Sequence, residues 1–239
     1  MTACQRATRS LVLVVLGACT LPSTRQARIA PFTAGRAVLP AHTVTRVIVD
    51  AAVGTVTIDS TSGDSLIVVA ELTSGDTTRL RTVCAQSTQL ATTNASDGVH
   101  FALEQRSRNR CGERWRLLVP ASVAVHVTGR VLDVTVDARL PALRVRMGGP
   151  GSVRGRVDAP DVDIDIGHGG ITLRSTRSDL RRASAISKIG RAQLEVNGLR
   201  IPSVSKPPGA VAEVTGRGES TLLARTGNGS VSVTVEGRP

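Results

Sequence analysis

From residue 44 onward apolar and polar side chains alternate with period two, and the helical period is nearly absent, which restricts the chain to strands with one buried face. The clearest stretches are Val131-Leu132-Asp133-Val134-Thr135-Val136, Leu143-Arg144-Val145-Arg146-Met147, Val162-Asp163-Ile164-Asp165-Ile166 and Val231-Ser232-Val233-Thr234-Val235. Turn signals separate them, among them Gly148-Gly149-Pro150-Gly151, Gly167-His168-Gly169-Gly170, Asn197-Gly198, Pro207-Pro208-Gly209 and Gly227-Asn228-Gly229. Strand starts from residue 131 recur about every ten residues, with one slot weakened by Pro202 and Pro207.

The spacing predicts an all-β fold, a β-solenoid (β-helix-like) repeat of short strands in which two strands make one coil of about twenty residues. Leu143, Val145 and Met147 then stack inward on Val162, Ile164 and Ile166, and Arg144 and Arg146 lie over Asp163 and Asp165 outside. Opposite charges in such register contribute a few tenths of a kcal/mol per exposed pair. The first half, Val44 to Val127, reads as longer hairpins, and an antiparallel β-sandwich is the competing architecture. One stretch also fits a helix, with Ser178 as N-cap, an apolar stripe of Leu180, Ala183, Ile186 and Ile189, and Gly190 as stop; a strand is preferred.

Residues 1–18 place Arg6 and Arg9, without an acid, before the apolar run Leu11 to Leu16, the order of an export signal too short to span a bilayer as a stable helix. Leu16-Gly17-Ala18-Cys19 resembles the lipobox of bacterial lipoproteins, which implies a diacylglyceryl group on the Cys19 sulfur and Cys19 as the mature N-terminus. Two or more acyl chains hold a protein on a membrane that one would let it leave. Residues 19–40, with prolines, scattered arginines and no sustained period, read as a flexible tether. Residues 41–127 form an N-terminal β region and 128–239 a β-repeat region continuous with it.

Cys4 leaves with the signal and Cys19 is consumed by lipid, so the exported body keeps the pair Cys84 and Cys111. A disulfide is the economical reading, and closing a loop of that length contributes about 3.5 kcal/mol in the chain-entropy model. Neither cysteine has a second ligand at zinc spacing, so no metal is expected. The whole chain carries a formal charge of +11; without Arg6 and Arg9, 28 basic residues against 19 acidic ones leave +9. Such a surface is attracted to anionic head groups and envelope polymers. Base composition of the genome is an equally good source of a bias in which 28 of 30 basic residues are arginine.

Ile171-Thr172-Leu173-Arg174-Ser175, Ser187-Lys188-Ile189-Gly190 and Ala224-Arg225-Thr226-Gly227-Asn228-Gly229-Ser230-Val231 carry Gly-polar-Val repeats. They resemble those of the bacterial "putative adhesin" (head-GIN-like) domain family of exported, lipid-anchored β-repeat proteins. The resemblance covers about residues 125–239, with Arg191 or Ser230 where Asp usually follows Gly. It implies a solenoid-like fold and surface placement, and brings no catalytic residues.

A search for chemistry leaves little. Asp161-x-Asp163-x-Asp165 resembles the start of an EF-hand loop, but Ile166 and Thr172 stand where Gly and Glu are needed, so a solvated or arginine-paired face is the better reading and a weak cation site the alternative. Ser203-x-x-Lys206 lacks the companion motifs of a penicillin-binding nucleophile. His42, His100, His126 and His168 are scattered, and His168 among its glycines is the best placed of them for a site. The densest feature is Arg106, Arg108, Arg110, Arg114 and Arg116 around Cys111 beside Trp115, a candidate anion-binding loop; the alternative is a solvated loop with Trp115 as a core plug. Nucleic acid is disfavoured by export and by the lack of interleaved aromatics.

The expectation is a non-enzymatic, cofactor-free, lipid-anchored envelope protein for adhesion or envelope assembly, with the membrane, anionic polymers or envelope proteins as partners. A polysaccharide-active β-helix enzyme and an accessory of envelope signalling are the alternatives.

Overall fold

A computed structural model describes residues 31–74, 77–105, 111–177 and 179–236. In chain order the strands are β1 (Phe32–Pro40), β2 (Arg46–Thr61), β3 (Ser65–Thr73), β4 (Thr88–Ala95), β5 (Gly98–Gln105), β6 (Gly112–Pro120) and β7 (Ala124–Arg139). They continue as β8 (Ala142–Asp158), β9 (Asp161–Ser175), β10 (Leu180–Val196), β11 (Leu199–Ile201), β12 (Val204–Lys206), β13 (Gly209–Thr215) and β14 (Ser220–Val235). Short helical turns lie before β4.

The all-β expectation holds: the strands form one large mixed sheet in the order β1-β3-β6-β2-β7-β8-β9-β14-β10-β13-β12, with β4, β5 and β11 branching from that path. The sheet does not close on itself. Its centre is parallel, from β2 through β7, β8, β9 and β14 to β10. Antiparallel pairs flank it, β1 with β3 and β3 with β6 on one side and β10 with β13 on the other. An antiparallel sandwich therefore does not describe the repeat region. The helix alternative also fails, because Leu180 to Val196 is strand; its N-cap, Ser178, lies outside the described residues.

Val145 is the Cα partner of Ile164, as the nineteen-residue stacking requires, and Arg144 and Arg146 lie opposite Asp163 and Asp165. The strands nonetheless form one sheet in which a solenoid is not established, and the succession of neighbours in chain order stops at β9. The C-terminal β14, not β10, takes the next place and pairs in parallel with both. Strands at sequence distance can outcompete the next in line because ladder hydrogen bonds carry no memory of chain order.

Strands read as separate ten-residue units fuse in pairs into strands of 15–17 residues, as in β8, β9 and β10. Glycine clusters that read as turns are bends inside these strands. Gly151 lies opposite Gly169, and Gly190 opposite Gly229, while an added Cβ at Gly229 would run into the carbonyl of Gly169. Backbone packing this close, with φ of 118° at Gly169 and 140° at Gly229, admits only glycine, and the column lets the ladder continue through the bend.

Each long strand thus has a first and a second arm. Inward residues of both, such as Val145, Ile164 and Ala224 of the first and Val134, Val153 and Leu173 of the second, join a single core running from Val44 to Val235. Full burial of each such Val, Leu or Ile contributes about 1.5–3 kcal/mol. A satellite core of Leu72, Leu80, Cys84 and Cys111 packs beside it. What remains for function is the outward side of each arm.

Candidate functional site

Strand parity sorts the residues singled out from sequence. Cys19, Arg106, Arg108 and Arg110 lie outside the described residues. Cys84 and Cys111 are joined by a disulfide with a Cα separation of 6.0 Å. On β6, Arg114 and Arg116 point outward, and Arg114 lies 3.6 Å from Glu71. Trp115 between them points inward and is fully buried. The anion-binding reading of Trp115 is corrected accordingly: alternation sends it to the core, and it cannot share a docking surface with its two neighbours.

The indole Nε1 of Trp115 donates to Glu113 Oε2 at 2.9 Å, and the amide of Ala52 donates to the same oxygen at 3.2 Å. Burial pushes the Glu113 carboxyl above its usual range, against the opposing effect of these two bonds. Sequence reading missed Glu113; the signal was an acid two residues before a core tryptophan, hence on the same buried face.

The outer face of the first arms centres on Asp163. Arg146 bonds both carboxylate oxygens, with Nη1 at 3.1 Å from Oδ1, and Arg225 Nη2 donates to Oδ1 at 2.7 Å. Arg144 Nε lies 3.9 Å from Oδ2, and Arg225 Nε is 3.7 Å from Asp165. Burial raises the Asp163 pKa, but the bonds from Arg146 and the charges of Arg146, Arg225 and Arg144 outweigh it and hold the carboxyl below its ordinary range. A carboxylate held this way is a weak base and a committed counter-ion, which is the arginine-paired reading of the aspartate ladder. Among the described residues no group of three or more His, Cys, Asp or Glu could hold a metal ion.

One histidine, His126, lies on this face, opposite Arg144, with its pKa lowered by burial and then by the charges of Arg144, Arg146 and Arg46. His100 bonds Asp97 at 2.9 Å, and His168 is exposed at the bend of β9.

The outer face of the second arms is built from the same kinds of residue, differently arranged. Arg154 and Arg156 on β8 and Arg174 on β9 are exposed, and Arg156 lies directly opposite Arg174. Thr135, Thr172, Ser232 and Thr234 continue the rows on β7, β9 and β14. Among the described residues none of the three arginines has a carboxylate within ion-pair distance, and Arg154 Nε reaches only Thr135 Oγ1 at 3.5 Å. This flat, hydroxyl-rich arginine surface is the candidate site, and it was not singled out from sequence because the opposition of Arg156 and Arg174 follows only from the register.

No protein-family model matches the chain, and no curated protein matches it. Among solved structures it is similar to a putative cell adhesion protein from Clostridium sporogenes, with a TM-score of 0.56 and 11% identity over 87% of this chain and all of that one. A putative adhesin from Bacteroides fragilis matches at a TM-score of 0.31 and 9% identity over 85% of this chain and 96% of that one. The first likeness shows a shared fold.

Proposed function

We propose that the protein is a non-enzymatic component of a cell envelope, exported, fastened to a membrane by lipid on Cys19, and displaying its sheet as a recognition surface for adhesion or envelope assembly. The observation that carries this reading is the order of its N-terminus: two arginines, an apolar run and Leu16-Gly17-Ala18-Cys19, followed by a spacer; of the tether expected over residues 19–40, Phe32–Pro40 is strand β1, which leaves the spacer the residues before it. The fold shared with a structure named for cell adhesion supports it, as does a surface on which Asp163 is occupied as a counter-ion. A tether of about a dozen residues reaches tens of ångströms at most, so the sheet would stand close to its membrane.

The test is fractionation of cells expressing the full chain with labelled palmitate. The wild type should label and sediment with membranes, and Cys19→Ala should do neither. Retention of label and of membrane association in the variant would contradict the anchor.

A further inference from the structure

Two arginines directly opposite each other on neighbouring strands repel, and an exposed sheet face has no packing reason to keep them. On the first arms the protein resolves this problem with Asp163, which gathers Arg144, Arg146 and Arg225. On the second arms it does not. Among the described residues, Arg156 and Arg174 face each other without a carboxylate bonded to either, with Arg154 two residues before Arg156 on the same strand. Asp137, the register neighbour of Arg156 on its other side, forms no ion pair with it, and Asp133 bonds Ser152 instead. Asp158, next along β8, is already engaged by Arg139 at 3.7 Å and Arg177 at 2.8 Å. The cluster is thus short of anions, and its donors are guanidinium forks suited to tetrahedral oxyanions.

The spacing adds a second constraint. Neighbouring strands lie about 4.8 Å apart, so one phosphate can be bridged by Arg156 and Arg174, while residues two apart along a strand are separated by about 6.5–7 Å. In a polymer whose phosphates are linked through three carbons, six bonds join successive phosphorus atoms. Two extended peptide residues also contain six backbone bonds and span about 6.6–7.2 Å. Such a phosphodiester chain matches the step from the Arg156–Arg174 pair to Arg154, and the hydroxyls of Thr135 and Thr172 beside them suit its polar backbone.

We infer that Arg154, Arg156 and Arg174 form a docking site for consecutive phosphates of a phosphodiester polymer, one bridged by Arg156 and Arg174 and the next held by Arg154. The site names a ligand for the recognition surface proposed above and rests on that reading for its envelope setting. No aromatic side chain accompanies the three arginines, so stacking on nucleobases adds nothing here.

The test measures binding of the full chain to a fluorescent glycerol-phosphate decamer by anisotropy. Inorganic phosphate, phosphatidylglycerol vesicles and a single-stranded DNA decamer serve as competitors. The expected result is saturable binding that weakens with salt, a log–log slope of about −1.4 to −1.8 for two neutralised phosphates, and a loss of at least tenfold in Arg156→Gln/Arg174→Gln. Arg200→Gln, on β11, should bind as the wild type does, and no variant should have a lower thermal transition than the wild type. Undiminished binding by the double variant overturns the proposal. Equal competition by inorganic phosphate or by vesicles overturns the polymer in favour of a single phosphate or a lipid head group, and equal competition by DNA, whose phosphates are also three carbons apart, overturns the polyol polymer in favour of nucleic acid. A failure here with Cys19→Ala still released from membranes removes the ligand and leaves the anchored protein; the reverse pattern removes the anchor and leaves the site.

Discussion

The two outer faces of the parallel strands are made from the same materials and reach opposite electrostatic solutions. On the first arms Arg144, Arg146 and Arg225 converge on Asp163, and Asp165 supports Arg225 from the next row. On the second arms Arg154 and Arg174 have threonine neighbours and Arg156 has Asp137 beside it, but no carboxylate among the described residues is bonded to any of the three. The first arrangement is complete within the chain. The second is complete only when an anion arrives from outside, and the difference separates a face that stabilises from a face that binds.

The largest effect is expected from breaking the backbone that presents the bare face. Gly155, between Arg154 and Arg156, has φ of 131°, and a Cβ there would collide with the carbonyl of Val136. Gly155→Ala should cost about 3 kcal/mol, read as a lowered urea midpoint; an unchanged midpoint would show that the backbone relaxes freely. Asp163→Asn comes next. It strips a shared counter-ion from Arg144, Arg146 and Arg225 and should cost about 1–3 kcal/mol. The Asp163 pKa is held below the ordinary 3.8, so its contribution is fully present above that value and lost as pH falls through the folded-state pKa. Wild type and variant should therefore converge in strong acid, and a constant gap across pH would contradict the ion-pair account.

Glu113 offers a contrast with both faces, since its carboxyl is buried with its pKa raised above 4.5. The folded protein then binds more protons than the unfolded chain as pH rises from 4.5 to the folded-state value, and stability falls across that window before levelling. Glu113→Gln should remove this fall, which pH-dependent unfolding would register. Its absence in the wild type would mean that Trp115 and Ala52 fully compensate the buried charge. The smallest effect is expected on the bare face itself. Arg174→Thr relieves the repulsion with Arg156 and should leave stability unchanged or raise it by about 0.5 kcal/mol, whereas a loss above 1 kcal/mol would reveal a structural role.

Much of this contrast was legible where local spacing decides the structure. The nineteen-residue offset between Val145 and Ile164, the inward parity of the apolar residues and the pairing of Cys84 with Cys111 all follow from short-range pattern or from counting. The Asp163 centre was half legible. Arg144 and Arg146 lie one coil away, but Arg225 arrives because β14 inserts beside β9, a choice made by tertiary packing between segments about sixty residues apart. Trp115 misled because its arginine neighbours drew attention to charge while its own parity pointed to the core. Gly148 to Gly151 and Gly167 to Gly170 read as turns because glycine signals both a chain reversal and a tight backbone stack, and only the register distinguishes the two.

Side-chain Nε–Hε resonances of the arginines, followed by NMR during titration with the glycerol-phosphate decamer, test the contrast between the faces most directly. The account requires shifts confined to Arg154, Arg156 and Arg174, with Arg144, Arg146 and Arg225 unmoved on their aspartates. Shifts centred on the Asp163 group, or spread evenly over every exposed arginine, would contradict it.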